Sequence, residues 1–265
     1  MRPPRHRSSA AALLTVLLLA IAACGSGTST TPGGATTSES QSATGSPGEG
    51  YPLEIPNAFG TTVIPIEPER VVVAGFTEID TAVALGVQPV AVQRFVAAFT
   101  DGFGPWTAER ITGDKPVVFE VNELNFEQIA SLQPDLILAV NRTMTEVDYE
   151  RLTAIAPTVA RPAEYADYGV PPDVSAQLIG RALGKEPEIT TMLDSVQKQV
   201  TAARTANPGL AGKTFSVVWP RGADGWYVWT SIDNRTRLLT DLGMTLSPEV
   251  LALDQSRFYV EVSSE

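Results

Sequence analysis

Residues 70–92 read RVVVAGFTEIDTAVALGVQPVAV and contain two apolar runs separated by a segment with helical spacing. The first run, 70–75, is rich in valine, as in strands that are buried on both faces of a parallel sheet. Residues 77–85 form the helical segment, which stops at Gly86, a residue type that commonly follows a helix. A second strand, 88–92, comes directly afterwards. This order predicts a parallel sheet with a right-handed crossover.

The same alternation of strands and helices continues toward the C-terminus. The predicted elements are helix 125–132, strand 134–140, helix 146–155, strand 156–159, helix 175–183, helix 189–206, strand 214–219, strand 225–230 and helix 235–242. We therefore expect two Rossmann-like α/β lobes, 51–170 and 212–265, joined by linking helices at 171–211 that include a long bridging helix. The second lobe shows two clear strands and one helix, so we expect it to be incomplete.

The N-terminus has the pattern of a bacterial lipoprotein leader. The charged part contains Arg2, Arg5 and Arg7. The apolar run that follows, 10–23, is too short to span a bilayer as a helix of about 20 residues. It ends in Ile-Ala-Ala-Cys, which resembles a lipobox, and Cys24 is the only cysteine of the chain. We predict a signal peptide at 1–23, a lipid on Cys24, a disordered tether at 24–50 and a location at the outer face of the cytoplasmic membrane.

The composition excludes several classes of protein. His6 is the only histidine and lies within the predicted signal peptide, so the mature chain lacks the residues for a His/Cys zinc site, a Ser-His-Asp triad or a haem with a histidine ligand. The chain has 19 basic and 30 acidic residues, a balance that disfavours nucleic acid as a partner. It also lacks the Gly-x-Ser-x-Gly and P-loop motifs, and the carboxylates Glu78 and Asp80 have no visible catalytic partner, so we do not expect an enzyme.

Seven segments carry a family resemblance. They are RVVV at 70–73 with Glu78, LGVQPVAV at 85–92, GPW at 104–106, NFEQIASLQPDLIL at 125–138, APTV at 156–159, the two Gly positions of 179–184 and VSSE at 262–265. In this order they resemble the iron-siderophore and cobalamin substrate-binding proteins of ABC importers, the helix-linked class III periplasmic binding proteins. The resemblance covers nearly all of 51–265.

This resemblance implies a monomeric receptor that binds a ferric siderophore between two lobes and delivers it to the permease of an ABC importer. It implies a small closure on binding, because a rigid helix joins the lobes. It implies no cofactor besides the ligand. In the family, one surface glutamate of each lobe meets arginines of the permease, and the matching positions here are Glu127 and Glu265.

In such folds, ligands bind at the carboxyl ends of strands. Arg94, Arg142 and Arg221 each follow a predicted strand, and guanidinium groups match the oxygen atoms of ferric siderophore complexes. Aromatic rings supply the walls of such a pocket. The aromatic candidates are Trp106, Trp219, Trp226, Trp229, Tyr165 and Tyr168, of which we select Trp106, Tyr165 and Trp219 for the ligand site.

Three alternatives stay open at this stage. The ligand of the same family could be cobalamin or haem, and haem would then need a tyrosine as its iron ligand. The chain could be an anchored interaction protein without a small ligand. An enzyme is the remaining alternative, although neither a Gly-x-Ser-x-Gly nor a P-loop motif supports it.

Overall fold

The computed structural model describes residues 50–96, 98–120 and 124–263. The predicted signal peptide, Cys24, the predicted tether up to residue 49 and Glu265 lie outside the described residues. No helix in the described part is both long enough and apolar enough to cross a bilayer.

An antiparallel hairpin begins the described part and consists of β1 (Leu53–Asn57) and β2 (Gly60–Ile64). Its alternating pattern buries Ile55 and Ile64 completely, as expected for a hairpin with one face against a core. The Thr62 hydroxyl donates to the carbonyl of Thr158 over 2.6 Å. The hairpin is thereby attached to the edge strand of the main sheet.

The main sheet has five parallel strands in the order β5-β4-β3-β6-β7. They are β3 (Val71–Val73), β4 (Ala91–Gln93), β5 (Val117–Phe119), β6 (Leu136–Ala139) and β7 (Thr158–Ala160). The chain builds outward from β3 to β5 and then crosses to the other side of β3 to form β6 and β7. The point between β3 and β6 is therefore a topological switch point, where crevices form outside the carboxyl ends of strands.

Helices cover both faces of this sheet, which is why its strands are continuous apolar runs. The helices of the N-terminal half are α1 (Glu78–Ala84), α2 (Pro105–Ala108), α3 (Phe126–Ser131), α4 (Glu146–Thr153) and α5 (Pro172–Ala182). One core contains α1 and α5 together with Val71 and Val73, whereas the other contains α3 and α4 together with Val72. Gly86 has φ +82° and ends α1, as predicted.

The long helix α6 (Glu186–Ala206) has 21 residues and follows α5 directly. Its buried residue, Ile189, packs against α5 at Gly180, where even a methyl group would overlap the isoleucine side chain. The rest of α6 is half-exposed or exposed. A long helix after the first lobe was predicted at 189–206, and the structure begins it three residues earlier.

The C-terminal region, defined here as residues 212–263, contains two small sheets. Its elements are β8 (Thr214–Phe215), β9 (Val218–Pro220), β10 (Trp226–Trp229), α7 (Asn234–Asp241), β11 (Thr245–Leu246), α8 (Pro248–Leu251) and β12 (Tyr259–Val262). Strand β8 pairs with β11 in parallel, and β10 lies between β9 and β12 in an antiparallel sheet. The buried core of this region consists of Val228, Leu246 and Val250.

One prediction about this region was wrong. The predicted strand 214–219 is two strands, because the chain leaves the parallel pair after Phe215 and joins the antiparallel sheet at Val218. Besides the two clear strands expected, the region contains β12 and also β11, which was not predicted. The prediction of an α/β fold with a parallel sheet is confirmed.

Candidate functional site

The carboxyl ends of the five parallel strands meet at one edge of the main sheet. The segment that follows β3 leads into α1 at Glu78, and the segment that follows β6 contains Asn141 and Arg142. Arg94 follows β4, and Arg161 follows β7. Three arginines therefore lie at the edge where open α/β sheets bind ligands.

Glu78 ties together the two loops at the switch point. Its side chain is fully buried, and its Oε1 accepts a hydrogen bond of 2.8 Å from the backbone N–H of Asn141. Its Oε2 accepts from the backbone N–H of Thr77 over 2.9 Å. Burial raises the pKa of the Glu78 carboxyl, and these backbone hydrogen bonds oppose the shift.

Arg142 is a buried cation, with 6% of its surface exposed. Its Nη1 donates to the carbonyl of Ala74 over 2.6 Å, and its Nε donates to the carbonyl of Thr143 over 3.2 Å. Among the described residues, no carboxylate lies within ion-pairing distance of this guanidinium. Burial lowers the pKa of Arg142, which is the expected effect of removing a cation from water.

A cavity of about 390 Å³ lies beside Arg142. Its lining residues are Leu124, Phe126, Arg142, Thr143, Asp148 and Tyr168. The cavity thus combines a cation, an aromatic ring and a carboxylate, which is a set able to hold a polar ligand that carries flat groups.

A second cavity of about 440 Å³ shares Thr143 and Tyr168 with the first. The N-terminal half contributes Arg161, Ala166 and Asp167 to it, and the C-terminal region contributes residues 256–259. Arg161 is neutralised there, because its Nε lies 2.7 Å from Oδ1 of Asp167. The second cavity therefore lies between the two parts of the chain and adjoins the first.

Tyr168 stands at the boundary between these cavities. It has φ +60°, an uncommon backbone conformation for a residue with a large side chain. Its ring centroid lies 5.9 Å from that of Phe76 and 4.7 Å from that of Phe258. A row of stacked or tilted rings thus extends from the main sheet to the C-terminal region.

The structure places Arg94 and Trp106 outside both cavities. Arg94 forms an ion pair of 3.0 Å with Glu120, which compensates its charge. Trp106 is 58% exposed and donates from Nε1 to Oδ1 of Asp80 over 3.1 Å. Both side chains follow β4 in the chain, at or near the carboxyl edge, but neither lines the cavities described above.

The other predicted ligand contacts also lie away from Arg142. The ring of Tyr165 packs against the larger core, and its carbonyl accepts a hydrogen bond from Arg161. Trp219 belongs to β9 and is largely exposed. Arg221 lies 2.8 Å from a carboxylate oxygen of Glu261. Of the predicted arginines and aromatics, the structure brings Arg142 and Tyr168 together.

Glu127 lies in the first turn of α3 and is exposed, a position that suits either solvation or a partner. Asn125 caps this helix, since its side chain accepts from the backbone N–H of Gln128. The role of Glu127 in docking to a permease stays a prediction.

Arg161 and Phe258 were not predicted from the sequence. Arg161 could have been found by the rule that selected the other arginines, because it follows the strand predicted at 156–159. Phe258 carries no such signal. It meets Tyr168 through the packing of segments 90 positions apart, which no local pattern indicates.

Comparisons with known proteins give consistent matches. The profile of a family described as "Periplasmic binding protein" matches residues 71–255. The chain is 33% identical to the putative ABC transporter substrate-binding lipoprotein YhfQ of Bacillus subtilis, over 78% of this chain and 62% of YhfQ. It is 28% identical to the Fe(3+)-citrate-binding protein YfmC of the same organism, over 87% of this chain and 69% of YfmC.

The solved structure of PiaA from Streptococcus pneumoniae TIGR4 in complex with ferrichrome also matches. Its TM-score is 0.69 at 28% identity, and the match covers 79% of this chain and 73% of PiaA. The chain thus spans less than two thirds of the length of YhfQ and about seven tenths of the lengths of YfmC and PiaA.

Proposed function

Because this chain belongs to the periplasmic binding protein family, as the sequence predicted, we propose that it is the receptor of an ABC importer for a ferric siderophore. The receptor binds the ferric complex between the N-terminal sheet and the C-terminal region and delivers it to the permease. The names of the similar proteins support this ligand class, since PiaA is described with ferrichrome and YfmC as binding ferric citrate.

The observation that carries the proposal is the buried guanidinium of Arg142. A cation removed from water is costly unless oxygen atoms surround it, and here two backbone carbonyls supply only part of that shell. The carboxylate, catecholate or hydroxamate oxygens of a siderophore would complete the shell. Charge-assisted hydrogen bonds of this kind are about twice as strong as those between neutral groups.

The two adjoining cavities suit a small-molecule ligand that carries both oxygen atoms and an organic framework. Each lies within the range of about 300–1,000 Å³ that is typical of small-molecule sites. Tyr168 and Phe258 supply flat apolar surfaces against which the organic part of a siderophore can pack. The proposal therefore assigns the charged ligand oxygens to Arg142 and the ligand framework to the aromatic rings.

Further parts of the proposal rest on the sequence and the family. The predicted outer ligand contacts are kept as Arg94, Trp106, Tyr165, Trp219 and Arg221. The lobes are assigned to 51–170 and 212–265, with 171–211 linking them. Glu127 and Glu265 are assigned to permease docking, and Cys24 to a lipid anchor that holds the receptor outside the cytoplasmic membrane through the tether at 24–50.

The test is a tryptophan fluorescence titration of the purified chain with ferrichrome, ferric citrate, a ferric catecholate, cobalamin and haem. We expect saturable quenching by at least one ferric siderophore or ferric citrate, and the iron-free ligands serve as controls. Quenching by cobalamin or haem alone would replace the ligand class. The absence of saturable binding by all five would contradict the proposal.

A further inference from the structure

We infer that Glu78 is a positioning residue whose carboxyl group holds the Asn141–Arg142 loop so that the guanidinium of Arg142 faces the ligand cavity. The consequence for ligand affinity rests on the function proposed above. The geometric part concerns the chain alone and can be tested without a ligand.

The first step is the connection from Glu78 to the loop that follows β6. The carboxyl oxygens of Glu78 accept from the backbone N–H groups of Asn141 and Thr77, at 2.8 and 2.9 Å. One side chain therefore fixes the backbone on both sides of the switch point. Because Asn141 immediately precedes Arg142, this contact sets where the Arg142 side chain starts.

The second step is the return connection from this loop to the segment that follows β3. Arg142 Nη1 donates to the carbonyl of Ala74, and the Asn141 side chain donates from Nδ2 to Oγ1 of Thr77 over 2.9 Å. The backbone N–H of Phe76 donates to the carbonyl of Asn141 over 3.3 Å. The two loops are thus bonded in both directions, and the Glu78 side chain that takes part is fully buried.

The third step is the space that the fold leaves for this carboxyl group. A Cβ atom at Gly75 would overlap the carboxyl oxygens of Glu78. The loop thus brings its backbone against a fully buried titratable group, although an apolar side chain would cost far less to bury. A glutamine cannot replace the group, because its amide nitrogen would face one of the two backbone N–H donors.

A purely structural role for Glu78 and a positioning role make different predictions. A structural role lowers stability and leaves the loss of affinity independent of Arg142. A positioning role requires the effect of Glu78 on binding to pass through Arg142. The tests therefore observe Arg142 itself and then measure the coupling between the two residues.

The first experiment uses the ligand-free chain and follows the arginine side-chain N–H signals by ¹⁵N NMR, with Arg142→Lys to identify the Arg142 signal. We expect the slow solvent exchange of this signal in the wild type to become fast in Glu78→Gln and in Gly75→Ala. Val83→Ala, which trims a buried residue of the same helix, is the matched control and should leave it slow. Slow exchange in folded Glu78→Gln would overturn the inference. If Glu78→Gln does not fold, slow exchange of the Arg142 signal in Gly75→Ala would overturn it instead.

The second experiment is a double-mutant cycle on the affinity for ferric citrate. We expect Glu78→Gln to weaken binding about tenfold in the wild-type background, since hydrogen bonds to a charged group are stronger than those between neutral groups. In the Arg142→Met background it should change affinity less than twofold. Equal losses in both backgrounds would show a structural role and overturn the inference. If the wild type binds none of the ferric complexes, the proposed function fails and the NMR result alone decides the role of Glu78.

Discussion

The N-terminal sheet and the C-terminal region are built on different principles. The sheet is parallel, has helices on both faces and buries two large apolar clusters. The C-terminal region has short strands, a core of three buried residues and exposed side chains such as Val218, Trp219 and Trp226. A backbone that is buried on both faces can hold a charged group such as Arg142 in one place. The C-terminal region contributes side chains to the second cavity, whereas the sheet and its loops determine the position of Arg142.

The largest expected effect is a difference in stability between substitutions in the core of the sheet and in the core of the C-terminal region. Leu138→Ala removes a fully buried side chain from β6, and we expect a loss of about 2–5 kcal/mol in the free energy of unfolding. Leu246→Ala in the C-terminal core should cost less than Leu138→Ala, because fewer buried neighbours surround the cavity that it leaves. Equilibrium unfolding in urea measures both. Equal losses would show that the two cores are comparably packed.

The next comparison concerns two arginines. Arg142→Met should weaken binding of the ferric ligand by about 1.5–3 kcal/mol, since it removes a charged donor from the cavity wall. Arg221→Met should weaken it by less than about 1 kcal/mol, because Arg221 is paired with Glu261 on an exposed sheet. Isothermal titration calorimetry with the ligand found by fluorescence provides both values. A larger loss for Arg221→Met would assign the charge recognition to the C-terminal region.

A third comparison uses two first-turn glutamates on exposed helix starts. Glu127→Arg in α3 should reduce ligand uptake by cells several-fold without changing ligand affinity, because charge reversal opposes pairing with a basic permease surface. Glu249→Arg in α8 is the matched control, since Glu249 is also exposed in the first turn of its helix. Iron-55 uptake is the measurement. Normal uptake by Glu127→Arg would argue against its docking role.

The smallest expected effects are in the pH dependence of stability. The pKa of Glu78 is raised above 4.5 in the folded state. Its contribution to the free energy of unfolding is therefore fully present below pH 4.5 and declines as the pH rises through the folded-state pKa. Glu78→Gln should remove this decline. The pKa of Asp254 is lowered by hydrogen bonds from Ser256, so its contribution is present above pH 3.8 and is lost as the pH falls. In thermal melts across this pH range, the stabilising contribution of Glu78 should fall as the pH rises and that of Asp254 should increase. Contributions that change in the same direction would contradict the assignment.

The sequence predicted the N-terminal sheet well because its signals are local. The valine run at Val71–Val73 and the glycine at position 86 reflect burial and helix termination, which act within a few residues. Strands β8 and β11 were harder to predict, because strands of two residues have no periodicity and exist only through their pairing with each other. The helix α2 and the strand β5 were not predicted either, because elements of four and three residues are too short to show a periodic pattern.

Less of the candidate site could be predicted, since Arg142 is the one predicted ligand residue that lines either of the two cavities. Arg142 follows a buried strand, and the topology of a parallel sheet brings such positions to one edge. The sequence does not indicate which arginine is buried without an ion pair. That difference depends on Glu120 reaching Arg94 and on Asp167 reaching Arg161, which are tertiary contacts of side chains.

The helix α6 has a mechanical consequence. An α-helix resists bending and stretching, so if α6 tilted about the contact between Ile189 and Gly180, that contact would be the pivot and the far end of the helix would move most. At about 1.5 Å per residue, its C-terminal end at Ala206 lies ~25 Å from this pivot. A tilt of ~6° would move that end by roughly 2.7 Å, from the same helix geometry. An alanine side chain at Gly180 would overlap Ile189, so Gly180→Ala would have to displace the N-terminal end of α6 from α5.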